Sequence, residues 1–70
     1  MLRIPHNKLL TSNDCRAFHK SWQRGAEHVA REKGAAFVFT MTGDVIVFYP
    51  QGEEGKIRRK TFRRGSFVLA

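Results

Sequence analysis

Basic residues are concentrated in one short stretch of the chain. Six of the nine residues from Lys56 to Arg64 are Lys or Arg, and no acidic residue follows Lys56. Residues 1–55 hold seven Lys or Arg against six Asp or Glu, so the stretch supplies six of the seven net positive charges. Guanidinium and ammonium groups donate hydrogen bonds to phosphate and carboxylate oxygens. The stretch therefore predicts a negatively charged partner, nucleic acid above all.

The predicted nucleic-acid-binding site has seven residues: Lys56, Arg58, Arg59, Lys60, Arg63, Arg64 and Tyr49. Edge strands carry one or two lysines that prevent aggregation, but six basic residues exceed that need because like charges on one strand face repel each other. Phosphate contacts position a nucleic acid without reading its sequence, so DNA and RNA are both candidates. The rings of Tyr49, Phe62 and Trp22 are of the kind that stacks on unpaired bases, although Trp22 is expected in the core.

The remaining reactive residues do not form a recognisable catalytic or metal site. Cys15 and His19 lie one helical turn apart, but a metal ion would need two further ligands and a Cys–His nucleophile would need an oxyanion site. The segment from Gly52 to Lys56 is too short for a phosphate-binding loop, and its two glutamates would repel phosphate. We therefore expect no catalytic residues, no enzymatic activity, no metal and no cofactor.

The composition sets bounds on the class of protein. A single cysteine, Cys15, excludes an intrachain disulfide and a four-cysteine zinc site, and it favours a reducing compartment. No apolar run has the length of a signal peptide or of a membrane span. Seventy residues, 41% of them hydrophobic, indicate one folded domain with a small core. We therefore expect a cytoplasmic protein with residues 1–70 as a single domain and no membrane partner.

Hydrophobic periodicity predicts one helix over residues 12–33. Thr11 and Asp14 suit a capping box at its start, and Gly34 suits its C-terminal cap. Apolar residues recur at spacings of three and four along one stripe: Cys15, Phe18, Trp22, Ala26, Val29 and Ala30. Residues 1–10, which contain a proline, are expected to form an extended arm or a short edge strand rather than a helix.

Two runs rich in β-branched and aromatic residues, 35–41 and 45–49, predict a hairpin after the helix. A two-residue type II′ turn at Gly43-Asp44 would align Phe39 with Phe48. One sheet face, which the helix should cover, would then hold the stronger hydrophobic set: Phe37, Phe39, Met41, Ile46 and Phe48. The other face would hold smaller apolar and polar residues: Ala36, Val38, Thr40, Val45, Val47 and Tyr49.

A turn at 50–55 leads to the basic stretch, which predicts a third strand at 56–62. Pairing Ile57 with Phe48 would place alternate residues on the open face: Lys56, Arg58, Lys60 and Phe62. Arg59 would then lie on the core side. A bulge or an edge position would resolve this conflict, because at an edge the head group of Arg59 can extend to solvent.

Together these elements predict an α+β fold with one amphipathic helix packed on a three- to four-stranded antiparallel β-meander. The meander would span residues 35–70, with residues 67–69 as the candidate fourth strand. The open sheet face keeps apolar residues such as Val47, so we expect a homodimer or a partner complex through it. The alternative is that the N-terminal arm and residues 66–70 fold over that face.

Two hypotheses of function follow from the basic strand. The first is a small non-enzymatic nucleic-acid-binding module that grips phosphates, with regulation as one use. The second is a small protein-binding regulator or inhibitor, of the type found in phages and mobile elements, whose basic strand docks on an acidic protein surface. Phosphate binding predicts similar losses for each Arg→Ala substitution and a steep salt dependence. Protein docking predicts one or two dominant residues and a weaker salt dependence.

Overall fold

The computed structural model describes all 70 residues and has an α+β fold. Six strands are present: β1 (Leu2–Ile4), β2 (Leu9–Leu10), β3 (Ala36–Phe39), β4 (Val45–Gln51), β5 (Lys56–Phe62) and β6 (Phe67–Leu69). The helices are α1 (Ser12–Arg16) and α2 (Trp22–Lys33), and a 3₁₀ turn covers His6–Lys8. The predicted fold class is confirmed, and the basic stretch forms the predicted strand as β5.

The two ends of the helical region follow the prediction. A capping box begins α1: the Asp14 N–H donates to Thr11 Oγ1 (3.2 Å), and the Thr11 N–H donates to the Asp14 carboxylate (2.8 Å). Gly34 ends α2 in the left-handed conformation (φ 91°), and its N–H donates to the Ala30 carbonyl oxygen (2.8 Å). Local capping chemistry therefore sets both boundaries.

The helix predicted over residues 12–33 is interrupted at residues 17–21, so that prediction was wrong. The first helix ends in a tighter turn, in which the Phe18 N–H donates to the Cys15 carbonyl oxygen three residues back (3.0 Å). The interruption folds α1 against α2. The Cys15 backbone lies so close to Gly25 that a Cβ at position 25 would overlap the Cys15 carbonyl oxygen. Glycine permits this approach, and Cys15 is fully buried.

The hairpin between β3 and β4 has a different turn from the predicted one. Residues 41–43 form a three-residue loop, closed by a hydrogen bond from the Thr40 N–H to the Asp44 carbonyl oxygen (2.8 Å). Gly43 takes the left-handed conformation (φ 87°) that ends such a loop. The prediction placed Gly43 first in a two-residue turn, which also needs a positive φ. The glycine alone therefore does not distinguish the two turns.

The longer loop shifts β3 by three residues along β4, and an odd shift exchanges the faces of a strand. The aligned pairs on the helix side are Val38–Ile46 and Ala36–Phe48. The prediction that Phe37, Phe39 and Met41 face the helix was therefore wrong. Phe39, which aligns with Val45, is 39% exposed, and Met41 is fully exposed in the loop.

The main sheet has four strands in the order β2-β3-β4-β5. The three strands β3 to β5 form the predicted antiparallel meander, whereas β2 adds to the free edge of β3 in parallel. The predicted fourth strand forms as β6 but leaves the meander and pairs in parallel with β1 in a separate two-stranded sheet. The main sheet therefore has two edge strands, the short β2 and the seven-residue β5.

The helices cover the inner face of the main sheet, which we define as the face that carries Phe48. The buried residues of this core are Cys15, Ala26, Val29, Ala30, Ala36, Val38 and Phe48. Trp22 packs against the core, as predicted, with its ring edge-on to that of Phe48 at 6.1 Å between centroids.

The opposite face of the main sheet, which we call the second face, is covered at one end. Val45 alternates with the inner-face residues of β4 and is nevertheless fully buried, as is Ile4 of β1. The chain runs from the end of β5, where Phe62 aligns with Val45, into β6. The alternative, in which the N-terminal arm and residues 66–70 fold over this face, stays a prediction. The rest of this face includes the half-buried Val47 and Tyr49, and a homodimer through it stays a prediction.

Candidate nucleic-acid interface

Alternate residues of β5 lie on opposite sides of the main sheet. The second face carries Lys56, Arg58, Lys60 and Phe62, and the inner side carries Ile57, Arg59 and Thr61. This division agrees with the prediction although Ile57 aligns with Pro50 rather than with Phe48. A shift of two residues leaves every side chain on its own face, so the error in register does not change the site.

Three exposed cations form a row along the second face of β5: Lys56, Arg58 and Lys60. Aromatic rings lie beside two of them. Arg58 aligns with Tyr49 on the neighbouring strand, and Lys60 Nζ lies 5.3 Å from the centroid of the Phe62 ring. A cation over a ring face is attracted by the ring quadrupole. The row therefore combines positive charge with aromatic surface on one side of the sheet.

Arg59 aligns with the buried Phe48 but is itself exposed. Its position on the edge strand allows this, because the side chain of an edge arginine can extend past the sheet into water. The predicted conflict between Arg59 and the core is resolved by the edge position. Arg59 therefore lies on the edge of the sheet, apart from the row on the second face.

Arg63 and Arg64 follow β5 in a tight turn rather than on the strand. The Arg63 carbonyl oxygen accepts hydrogen bonds from the N–H (2.9 Å) and the hydroxyl (2.6 Å) of Ser66. The Arg64 N–H donates to Asp44 Oδ1 (3.0 Å), and a Cβ at Gly43 would lie 3.2 Å from Arg64 Cδ. These contacts join the turn after β5 to the β3–β4 loop and fix where the two arginines lie.

Asp44 is the acidic residue at the centre of this junction. Its Oδ2 accepts a hydrogen bond from the Thr42 hydroxyl (3.0 Å), in addition to the Oδ1 bond from the Arg64 N–H. The Arg64 N–H, followed by the Thr42 hydroxyl, lowers the pKa of the Asp44 carboxyl below its ordinary value. The charged carboxylate therefore holds the junction together.

Most of the positive charge has no acidic partner within the protein. One ion pair is present, between Lys56 Nζ and the Glu54 carboxylate at 4.0 Å, and both side chains are largely exposed. Exposed pairs of this length contribute little to stability. The charges of Arg58, Lys60 and Arg59 are not engaged in ion pairs.

Two features of the site were not predicted. The first is the link from Asp44 to Arg64, which the sequence signals only through the Thr-x-Thr-Gly-Asp pattern of residues 40–44, a pattern suited to local side-chain capping. The second is the placement of Phe37 and Phe39 on the second face, which follows from the shifted register. The second face is consequently richer in aromatic residues than expected.

Cys15, His19 and His28 do not converge on a metal site, and no group of three metal-ligating residues occurs in the structure. Burial, followed by the nearby Asp14 carboxylate, raises the pKa of the Cys15 thiol. A raised pKa keeps a thiol in its less nucleophilic form. Neither helix is long and apolar enough to cross a membrane. Comparisons with protein-family models, curated proteins and solved structures found no significant match.

Proposed function

We propose that this protein is a small non-enzymatic nucleic-acid-binding module that holds phosphates along the second face of β5. The observation that carries the proposal is the row of Lys56, Arg58 and Lys60, exposed and two residues apart beside Tyr49 and Phe62. A polyanion with a regularly repeated charge fits such a row better than a single anion does. A reducing cytoplasm suits its one buried free thiol.

The spacing of the row supports contacts to successive phosphates. A strand rises about 3.3 Å per residue, so neighbouring cations in the row are about 7 Å apart and the whole row spans about 13 Å. Nucleic-acid backbone lying along the strand would meet a positive charge at each step. Tyr49 and Phe62 would offer ring faces to unpaired bases on the same side of the sheet.

The other basic residues would extend this contact beside the row and beyond its C-terminal end. Arg59 can reach a phosphate from the sheet edge, and Arg63 and Arg64 continue the positive charge beyond Phe62. The junction with Asp44 holds the backbone of Arg64 in place, so its side chain starts from a fixed position. Seven residues therefore remain the proposed site: Lys56, Arg58, Arg59, Lys60, Arg63, Arg64 and Tyr49.

A second candidate function rests on the free edge of β5. This strand is seven residues long and has a neighbour on one side only. An extended segment of an acidic protein could add to that edge through backbone hydrogen bonds, with its carboxylates on the basic side chains. Two copies of the protein would not pair through this edge, because antiparallel pairing of two β5 strands would oppose like charges.

Fluorescence anisotropy with labelled duplex DNA, single-stranded DNA and RNA tests the first proposal. The informative variant replaces the three cations of the row by glutamine: Lys56→Gln, Arg58→Gln and Lys60→Gln. A matched control removes the same charge from exposed positions elsewhere: Arg3→Gln, Arg16→Gln and Lys33→Gln. We expect binding at low salt, a loss of at least about tenfold for the β5 variant and a smaller loss for the control.

The outcomes separate the proposals. Equal losses in the two triple variants would contradict a site on β5, because binding would then follow net charge alone. No binding to any nucleic acid at low salt would overturn the proposed function and leave the acidic protein as the candidate partner. A Tyr49→Ala variant that weakens binding to single strands but not to duplex would identify stacking on Tyr49.

A further inference from the structure

A second cluster of arginine and aromatic side chains lies away from β5, where the connection between the helices folds back over α2. It surrounds an open cleft of about 450 Å³ lined by Phe18, His19, Arg24, Glu27, His28 and Arg31. None of these residues belongs to the proposed phosphate-binding strand. The cleft is therefore separate from the site proposed on β5.

The cleft contains an aromatic surface that the core does not use. Phe18 is 54% exposed, although it belongs to the predicted apolar stripe. Its ring stacks on the His28 ring, with centroids 5.4 Å apart and planes inclined by 29°. An exposed ring backed by a second ring offers a flat surface of the kind on which nucleobases stack.

Backbone contacts hold this surface in place. The Phe18 N–H bonds to the Cys15 carbonyl oxygen, and Cys15 is fixed by its close approach to Gly25 of α2. The Ser21 N–H donates to His19 Nδ1 (3.2 Å), which orients the His19 ring. The segment between the helices is therefore a positioned element, and the cleft is formed before any ligand binds.

The charges of the cleft favour an anion. Arg24 and Arg31 are exposed, and neither forms an ion pair with Glu27, so both guanidinium groups are available to a ligand. Arg24 and His28 are four residues apart on α2 and therefore lie on one side of the helix. A planar guanidinium group donates two parallel hydrogen bonds to a phosphate.

We propose that this cleft binds a nucleotide unit, with the base stacked on Phe18 and the phosphate held by Arg24 and Arg31. A cleft of this volume lies within the range of small-ligand sites, about 300–1,000 Å³. The ring supplies a contact that inorganic phosphate cannot use, and the arginines supply one that a nucleoside cannot use. The site therefore recognises the combination of an aromatic base and a phosphate. This proposal does not depend on the function proposed for β5.

Amide and aromatic NMR spectra recorded during titration with adenosine monophosphate test the proposal. We expect shifts in the resonances of Phe18, His28 and Arg31, and weaker binding of ribose 5-phosphate and of adenosine. A Phe18→Leu variant should lose at least about fivefold in affinity, the lower end of what one base stack contributes. Phe18 is largely exposed, so the amide spectrum of the variant should otherwise match that of the original protein.

Charge variants complete the test. Arg24→Gln with Arg31→Gln should reduce the affinity for adenosine monophosphate to that for adenosine, whereas the exposed pair Arg3→Gln with Arg16→Gln, which removes the same charge, should preserve the original affinity. The triple glutamine variant of β5 should also preserve it. Equal binding of ribose 5-phosphate and adenosine monophosphate would overturn the proposal, since stacking would then contribute nothing. Shifts confined to β5, or no shifts, would also overturn it.

Discussion

The neighbouring strands β4 and β5 differ in the exposure of their side chains. On β4, Phe48 is 1% exposed and packs with the helices, and no charged or polar side chain is buried anywhere in the protein. On β5, the basic residues are exposed and the one ion pair is long. Apolar burial therefore stabilises the fold at β4, whereas most of the charge on β5 is not neutralised within the protein.

The largest expected effect separates two phenylalanines that the sequence predicted to be equivalent. Phe48→Ala should lower the free energy of unfolding by about 3–5 kcal/mol because it leaves a cavity in the core. Phe39→Ala should cost about 1 kcal/mol, since Phe39 lies on the second face and is 39% exposed. Urea unfolding of both variants measures the difference. Equal losses would contradict the observed register and favour the predicted alignment of Phe39 with Phe48.

A slightly smaller effect is expected where the helices meet. Gly25→Ala should lower the free energy of unfolding by about 3 kcal/mol, because its Cβ would overlap the Cys15 backbone, which cannot move without displacing α1. Gly34→Ala serves as the control, since a Cβ there meets no atom within 4 Å and the cost is limited to the left-handed backbone, about 1–2 kcal/mol. Thermal unfolding of both variants distinguishes a steric contact from backbone preference.

The junction between the hairpin loop and the basic turn should depend on pH. The folded-state pKa of Asp44 lies below its ordinary value of 3.8, so its stabilising contribution is present above that value and is lost as pH falls through the lower folded pKa. Asp44→Asn should therefore be less stable than the original protein at neutral pH. The two proteins should converge in acid. Urea unfolding from about pH 7 to pH 2 tests this, and a constant difference between them would contradict it.

The smallest expected effect on stability concerns the row on β5. Lys56→Gln, Arg58→Gln and Lys60→Gln should each change the free energy of unfolding by no more than about 0.5 kcal/mol, because the side chains are exposed and lack strong partners. A small gain in stability would fit the relief of repulsion between neighbouring cations. A loss above about 2 kcal/mol for any one of them would contradict this expectation, because that side chain would then contribute substantially to the stability of the fold.

Several parts of the fold could be predicted because they depend on local chemistry. The capping box at Thr11 and the glycine cap at Gly34 need only neighbouring residues. The sequence also predicted which residues of β5 share a face, because side chains alternate along a strand. An error of two residues in the register leaves each side chain on its own face. The hairpin register could not be predicted from Gly43, because two turn types accept a glycine with positive φ. Side-chain bonds between Thr40, Thr42 and Asp44 accompany the longer loop.

The interruption of the helix was not predictable from periodicity. The stripe from Cys15 to Ala30 fits a continuous helix, and the decisive contact joins Cys15 to Gly25, which depends on how two helices pack. For the site, the sequence predicted which residues carry charge but not their division among the second face, the sheet edge and the turn after β5. That division depends on pairing with β4 and on the bond from Arg64 to Asp44.

The most direct test of the proposed role of β5 is the salt dependence of single-stranded DNA binding by the original protein and by the triple glutamine variant of Lys56, Arg58 and Lys60. Each phosphate contact contributes about 0.7 to the slope of log affinity against log salt for single strands, so losing three contacts should make the slope shallower by about 2. The matched variant of Arg3, Arg16 and Lys33 should keep the original slope. Identical slopes for the original protein and the β5 variant would contradict phosphate binding by this row.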